Sequence, residues 1–188
     1  INSDVNVSLY TNSQTIDPLL EGLDFFTFYG DIFSSKNKFI SAFKYFKGSL
    51  MSHFHARFSG IKVFHYHIFG FSILVLFNMM LAKIIGGKIV LTIHDVRSFA
   101  NINSSKIYTK FIYALANSVL THNVFSKNEI IKHHQNLESK ISIVPHGNYL
   151  PFIKYNTDQF SARKKINIDP NSKVILFFGM IKKVKRLD

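Results

Sequence analysis

The chain has 188 residues, 47% of them hydrophobic and 20 of them Phe, enough for one full domain with a substantial core and part of a second. It contains no Cys, which excludes a disulfide framework and any thiolate metal site. Lys and Arg outnumber Asp and Glu by 23 to 11, and the excess is uneven: from Ile32 to His94 there is no acid, only Lys36, Lys38, Lys44, Lys47, Arg57, Lys62, Lys83 and Lys88. A block of this kind suits an anionic partner such as membrane lipid, nucleic acid or a phosphorylated substrate.

Taken in chain order, Val5 to Tyr10 alternates like a strand, Asp17-Pro18 opens a turn or short helix, and Asp24 to Tyr29 is a second, Phe-rich strand ended by Gly30-Asp31. From Lys36 to Phe58 the positions Phe39, Phe43, Phe46, Leu50, Phe54 and Phe58 recur at three- and four-residue steps. That spacing predicts an amphipathic helix whose Phe stripe packs on a sheet, with Gly48 as its weak point and Ser59-Gly60 as its close.

Ile61 to His67 follows as a strand on which Ile61, Val63, His65 and His67 share a face. A His-x-His pair on a strand can hold a metal, with His94 as a third ligand, or both rings can line a ligand cleft; the latter is preferred because no Cys and few acids are near. Phe69 to Ile85 is apolar but interrupted by Asn78 and Lys83, and falls short of the roughly 20 apolar residues of a membrane span. It reads as a buried crossover helix.

Lys88 to Ile93 is a β-branched run, punctuated at its start by Gly86-Gly87 and ending in the polar pair His94-Asp95. In an open parallel sheet ligands sit outside the carboxyl ends of the strands, so His94 and Asp95 stand where chemistry is expected. Ser104 is the expected N-cap of a helix with Ile107, Phe111 and Leu115 on its apolar stripe. Asn117 to His122 is another strand ending in a histidine. Ser126 to Glu129 has the form of a capping box, with Phe125 stapling onto Ile130. Ile141 to Pro145 is the next strand, and His146-Gly147 turns the chain away.

Tyr149 to Ser172 lacks a clear period and reads as a linker with a short helix at Asp158 to Lys165. Lys173 to Gly179 starts again as a buried strand, followed by a basic loop through Asp188. A Gly after a parallel strand with lysines beyond it suits phosphate binding, through backbone N–H groups and ammonium charges. The chain opens on Ile1 and stops just after this new strand, as expected of a fragment. The order strand–helix–strand–helix through residue 145 predicts an α/β, doubly wound, Rossmann-like parallel sheet.

Thr92-Ile93-His94-Asp95, Val144-Pro145-His146-Gly147 and Phe177-Phe178-Gly179-x-Ile181-Lys182-x-x-Lys185, in this order, resemble the two-Rossmann-domain (GT-B) retaining glycosyltransferases of family 4, and His65-Tyr66-His67 is similar to a His-x-His that precedes the Thr-x-His strand there. The likeness covers about residues 61 to 188. It implies an N-terminal acceptor-side domain (1–150), a linker (151–172) and the first strand and loop of a donor-binding domain (173–188). Sugar would pass from a nucleotide-sugar donor to a lipid-linked or polysaccharide acceptor in bacterial surface polysaccharide synthesis, in the cytoplasm and peripherally on the inner face of the membrane.

By the same resemblance His94 and Asp95 would be catalytic, with His65, His67, His146 and Gly147 at the acceptor side or cleft. Gly179, Lys182 and Lys185 would meet the donor diphosphate. No metal or other cofactor is implied, an anionic membrane surface is a fitting partner, and nucleic acid is not expected. The chain departs from the family in carrying Lys182 where Arg is usual and Arg186 where Gly is usual, and it has no recognisable glycine-rich first loop. The rival reading from the same charge is a basic nucleic-acid- or membrane-binding module without catalytic activity.

Overall fold

The computed structural model describes residues 5–32, 34, 37–94, 106–147 and 157–177. They fall into two units, Ile1–Pro145 and His146–Asp188. The first is α/β. Its main sheet has four parallel strands in the order β3 (Val63–Ile68), β4 (Lys88–Ile93), β5 (Ser118–Thr121) and β6 (Ile141–Ile143). The crossovers are helices: α2 (Ile73–Ile84), α3 (Lys106–Leu115) and α4 (Val124–His133), the last followed by a 3₁₀ turn at Gln135–Lys140. Before them, β1 (Val7–Tyr10) and β2 (Leu23–Phe26) form a separate two-stranded parallel ladder, and α1 spans Lys38–Phe58.

The β-branched run behaves as its composition predicts. Flanked by β3 and β5, β4 buries Leu91, Thr92 and Ile93 in succession, so both of its faces are covered. The core gathers Ile89, Leu91 and Ile93 with Met79 and Ala82 of α2, Ile112 and Tyr113 of α3, and Val119, Ile130, Leu137 and Ile141. Burial holds the Tyr113 phenol well above the ordinary tyrosine range. At the end of α2, Gly86 N–H donates to the Lys83 carbonyl and Gly87 N–H to the Ala82 carbonyl, at 3.0 and 2.7 Å. This Schellman closure needs the left-handed φ of 79° that Gly86 adopts without strain.

Helix α1 is present but turned over relative to expectation. Its buried residues are Gly48, Ser49, Ser52, His53 and Ala56, whereas Phe39, Phe43, Phe54 and Phe58 are 87%, 69%, 46% and 87% exposed. The reason is close approach. A Cβ on Gly48 would lie 2.8 Å from the Tyr29 Cα and 2.9 Å from the Phe28 carbonyl oxygen, so only a small-residue face can press this helix against the segment after β2. The same correction applies to α3, which buries Ile112, Tyr113 and the following Ala116 and leaves Ile107 and Phe111 more than half exposed. Its expected cap, Ser104, lies outside the described residues.

Helix α4 starts earlier than the capping-box pattern predicts. Asn123 is the N-cap, its Oδ1 accepting from Ser126 N–H at 2.8 Å, so Phe125 is a helical, exposed residue and makes no staple. Asparagine competes equally well for that role and sits directly after the strand.

A cavity of about 460 Å³ lies between β1 and β3. Every residue from Val5 to Tyr10 lines it, as do Val63 to Tyr66. Consecutive residues on a strand point to opposite faces, so a wall made of all of them is the strand's edge. Neither strand has a ladder partner on that side among the described residues. Asn78, 7% exposed, also lines the cavity, and its Oδ1 has no hydrogen-bond partner among the described residues.

In the second unit α5 (Gln159–Lys165) forms as the sequence predicts, capped by Asp158, whose carboxylate accepts from Ser161 N–H at 3.0 Å. Hydrogen bonding from the Ser161 side chain, and then from its N–H, holds the Asp158 carboxyl below its ordinary range. Residues 173–177, expected to begin a buried strand, are exposed and carry no strand; Phe178 to Asp188 lie outside the described residues.

Candidate functional site

Three parallel strands of the first unit deliver a histidine at or just past their carboxyl ends: His67 on β3, His94 after β4 and His122 after β5. The register explains why they meet. His67 pairs with Thr92 and Thr92 with Leu120, so His94 and His122, each two residues further on, share one level of the sheet, and His67 stands two residues below them on the same face. His94 N–H donates to the Ile68 carbonyl at 3.2 Å, which ties the end of β4 to β3.

The side chains form a row. His65 and His67 have ring centroids 4.5 Å apart, His67 and His94 5.3 Å, and His94 and His122 4.8 Å. His67 Nδ1 and His94 Nε2 are 3.0 Å apart, hydrogen-bond distance for a donor and an acceptor nitrogen. Phe69 stacks on His94 at 4.6 Å with the rings 13° from parallel, fixing that ring's plane. His65 Nε2 meets the Oγ1 of buried Thr92 at 2.7 Å, which anchors the row from below. His122 Nδ1 donates to the Val144 carbonyl at 2.9 Å.

Charge in this row is self-limiting. Partial withdrawal from water lowers the pKa of His67, and any positive charge on His65 or His122 lowers it further. Desolvation lowers His65 in the same direction. At neutral pH these two rings are therefore held neutral, each with one N–H and one lone pair, able to donate and accept in the same arrangement. What such a row can do is bind a polyhydroxylated ligand, pass a proton, or coordinate a soft-to-borderline cation.

Of the residues that the sequence singles out, the structure brings together His65, His67 and His94. His146 and Gly147 are exposed and open the second unit. Asp95, Gly179, Lys182 and Lys185 lie outside the described residues. His122 was not singled out as a site residue, although the signal was there: it is the first polar position after a buried strand, as His94 is. Among the described residues no helix is long and apolar enough to cross a membrane. The chain matches no protein-family model and no curated protein.

Proposed function

We propose that the first unit is the acceptor-side domain of a retaining glycosyltransferase of the GT-B type, moving sugar from a nucleotide-sugar donor to a lipid-linked or polysaccharide acceptor. The observation that carries this reading is the position of His94: at the carboxyl end of the central strand, half-buried, stacked on Phe69 and hydrogen-bonded to His67. Ligands of parallel α/β sheets collect at that edge. A ring held in one plane, with its protonation tied to a neighbour, can hold a sugar hydroxyl in a defined direction. That is the positioning work such a transfer requires.

The chemistry divides between the ends of the protein. As the bond from the anomeric carbon to the diphosphate breaks, the leaving group gains negative charge, and fixed cations lower the barrier. Lys182 and Lys185 are the residues proposed for that role, with the Gly179 backbone N–H, and Asp95 would act beside His94. Near the acceptor, His65, His67, His146 and Gly147 would shape the cleft. No metal is invoked in the transfer step. The basic block and the exposed Phe stripe of α1 would hold the domain against an anionic membrane, where a lipid-linked acceptor resides.

The test is release of nucleoside diphosphate from a panel of nucleotide sugars by the full-length protein, with the His94→Ala variant alongside. We expect turnover to fall by two or more orders of magnitude, as for loss of a general acid–base or positioning group, while the urea midpoint moves little. Equal losses of turnover and stability would make His94 a structural residue. No release with any donor would favour the rival reading of a basic binding module.

A further inference from the structure

We propose that the cavity between β1 and β3 is the slot of one further β-strand, the strand that precedes β1 in the full-length polypeptide, and that its pairing joins the two ladders into a single sheet. The inference does not rest on glycosyl transfer, and its test reads backbone pairing alone.

The first support is the main chain. Val7 N–H donates to the Gly22 carbonyl at 3.4 Å and Thr11 N–H to the Phe26 carbonyl at 2.8 Å, so the odd residues of β1 face β2. Alternate residues of a strand present their N–H and C=O to opposite sides. Asn6, Ser8 and Tyr10 therefore turn theirs to the cavity that they line. Beside β3, the Lys62 and Ile68 carbonyls accept from Lys88 N–H at 2.8 Å and from His94 N–H at 3.2 Å. Even residues thus face β4, and Val63 and His65 present their backbone to the same cavity from the other side. Two rows of main-chain donors and acceptors stand across one space, with no ladder partner among the described residues. An extended strand answers both rows at once, because it carries the same groups at the same repeat.

The second support is width. Helix α1 reaches both strands: His55 Nδ1 lies 3.0 Å from the Tyr10 hydroxyl, and His53 Nε2 lies 2.7 Å from the Tyr66 hydroxyl. A helix with its side chains is about 10–12 Å across, close to two strand spacings of about 4.7–4.9 Å. Two strands covered by one helix in this way leave room for one strand between them. Ser52 and Ala56 of α1 line the cavity and give that strand a floor of small side chains. Val5, Val7, Leu9 and Val63 are exposed on the face away from α1, and apolar side chains on the same face of the strand would cover them.

The third support is topology. From the slot, β1 and then β2 step outward on one side; α1 carries the chain back, and β3 to β6 step outward on the other. With the slot strand counted first, the order runs third, second, first and then fourth onward, as in a doubly wound sheet. Elements consecutive in sequence are usually adjacent in space, so the strand beside β1 is the one before it. Parallel neighbours need a connection of about a dozen residues or more. That length places the strand ahead of Ile1.

The experiment compares hydrogen exchange, read by NMR, in the full-length protein and in the 188-residue chain. In the 188-residue chain the amides of Ser8, Tyr10, Val63 and His65 should exchange fast. In the full-length protein they should slow by about a hundredfold or more, as ladder amides do, and show NOEs to one strand ahead of Ile1. Ser8→Pro removes one slot-facing N–H and puts a ring in its place. It should lower the urea midpoint of the full-length protein well beyond its effect on the 188-residue chain. Should that variant fail to fold, exchange in the two wild-type chains decides. Fast exchange in the full-length protein, slow exchange already in the 188-residue chain, an equal effect of Ser8→Pro on both, or NOEs to another segment or a second copy would overturn the proposal.

Discussion

Gly48 and His53, five residues apart on α1, show how single residues set the packing of this domain. Alanine is the better helix former by about 1 kcal/mol, so Gly48→Ala in an isolated helix would stabilise. Here the added methyl meets backbone at 2.8 and 2.9 Å, and backbone cannot rotate away as a side chain can. The substitution should therefore destabilise by about 1–3 kcal/mol, the usual cost of overpacking, measured as a lower urea midpoint at unchanged slope. A midpoint that rises would mean that α1 does not press on Tyr29.

His53 is 5% exposed, stacked on Phe64 and hydrogen-bonded at both nitrogens: Nδ1 to the Ser49 carbonyl and Nε2 to the Tyr66 hydroxyl, each at 2.7 Å. Ser52 Oγ lies 3.4 Å from Nδ1, and the Tyr66 phenol is itself pushed well above its ordinary range by burial. Desolvation lowers the His53 pKa, opposed by the hydrogen bond to Ser49. The sign follows. Above the unfolded pKa, about 6.5, both states are neutral at this residue and stability is flat. Below it the unfolded chain takes up the proton more readily than the native one, so stability falls with falling pH until the native pKa is passed. The urea midpoint should drop between pH 7 and pH 5, and the drop should shrink in His53→Gln. An unchanged slope in that variant would assign the effect to other histidines.

At the scale of elements, α1 is the most informative. Its Phe stripe was legible as a stripe, because a period near 3.6 is a property of the sequence alone. Which way the stripe faces was not legible. The expectation that it packs on the sheet assumes that the apolar side is the one that fits. Gly48, Ser49, Ser52 and Ala56 lie on the buried face, and at Gly48 the missing side chain lets the helix sit against Phe28 and Tyr29. Two measurements follow. Phe43→Ala should cost less than about 0.5 kcal/mol of stability, as at an exposed site, where a core Phe would cost about 3–5. Phe43→Ser with Phe54→Ser should also reduce binding to vesicles containing anionic lipid. That binding should weaken with salt, since each Lys or Arg near such a surface contributes about 1 kcal/mol within a Debye length of about 8 Å. Poor binding to anionic and neutral vesicles alike, with tight binding to duplex DNA, would replace the membrane reading by the nucleic-acid one.

At the scale of the molecule, β1–β2 and β3–β6 are two parallel ladders separated by a cavity walled by the edges of β1 and β3. Backbone amides at a sheet edge without a partner exchange with solvent far faster than those inside a ladder. Hydrogen exchange should therefore protect β4 and β5 strongly and leave the cavity-facing amides of β1 and β3 fast. Strong protection there would mean that the two ladders join into one sheet.

The sequence by itself determined the order of elements through Ile143, the parallel α/β class and the central place of Lys88 to Ile93. Strand length, β-branching and turn residues are local, and alternating strands and helices leave few topologies. It also marked His65, His67 and His94 as strand-end residues. Only the tertiary structure decided that His122 joins the row and that His65 turns to Thr92, because neighbours across a sheet are set by strand order and register, to which spacing along one strand is blind. It likewise decided which faces of α1 and α3 are buried. Burial belongs to a pair of surfaces, and a single helix carries only one of them.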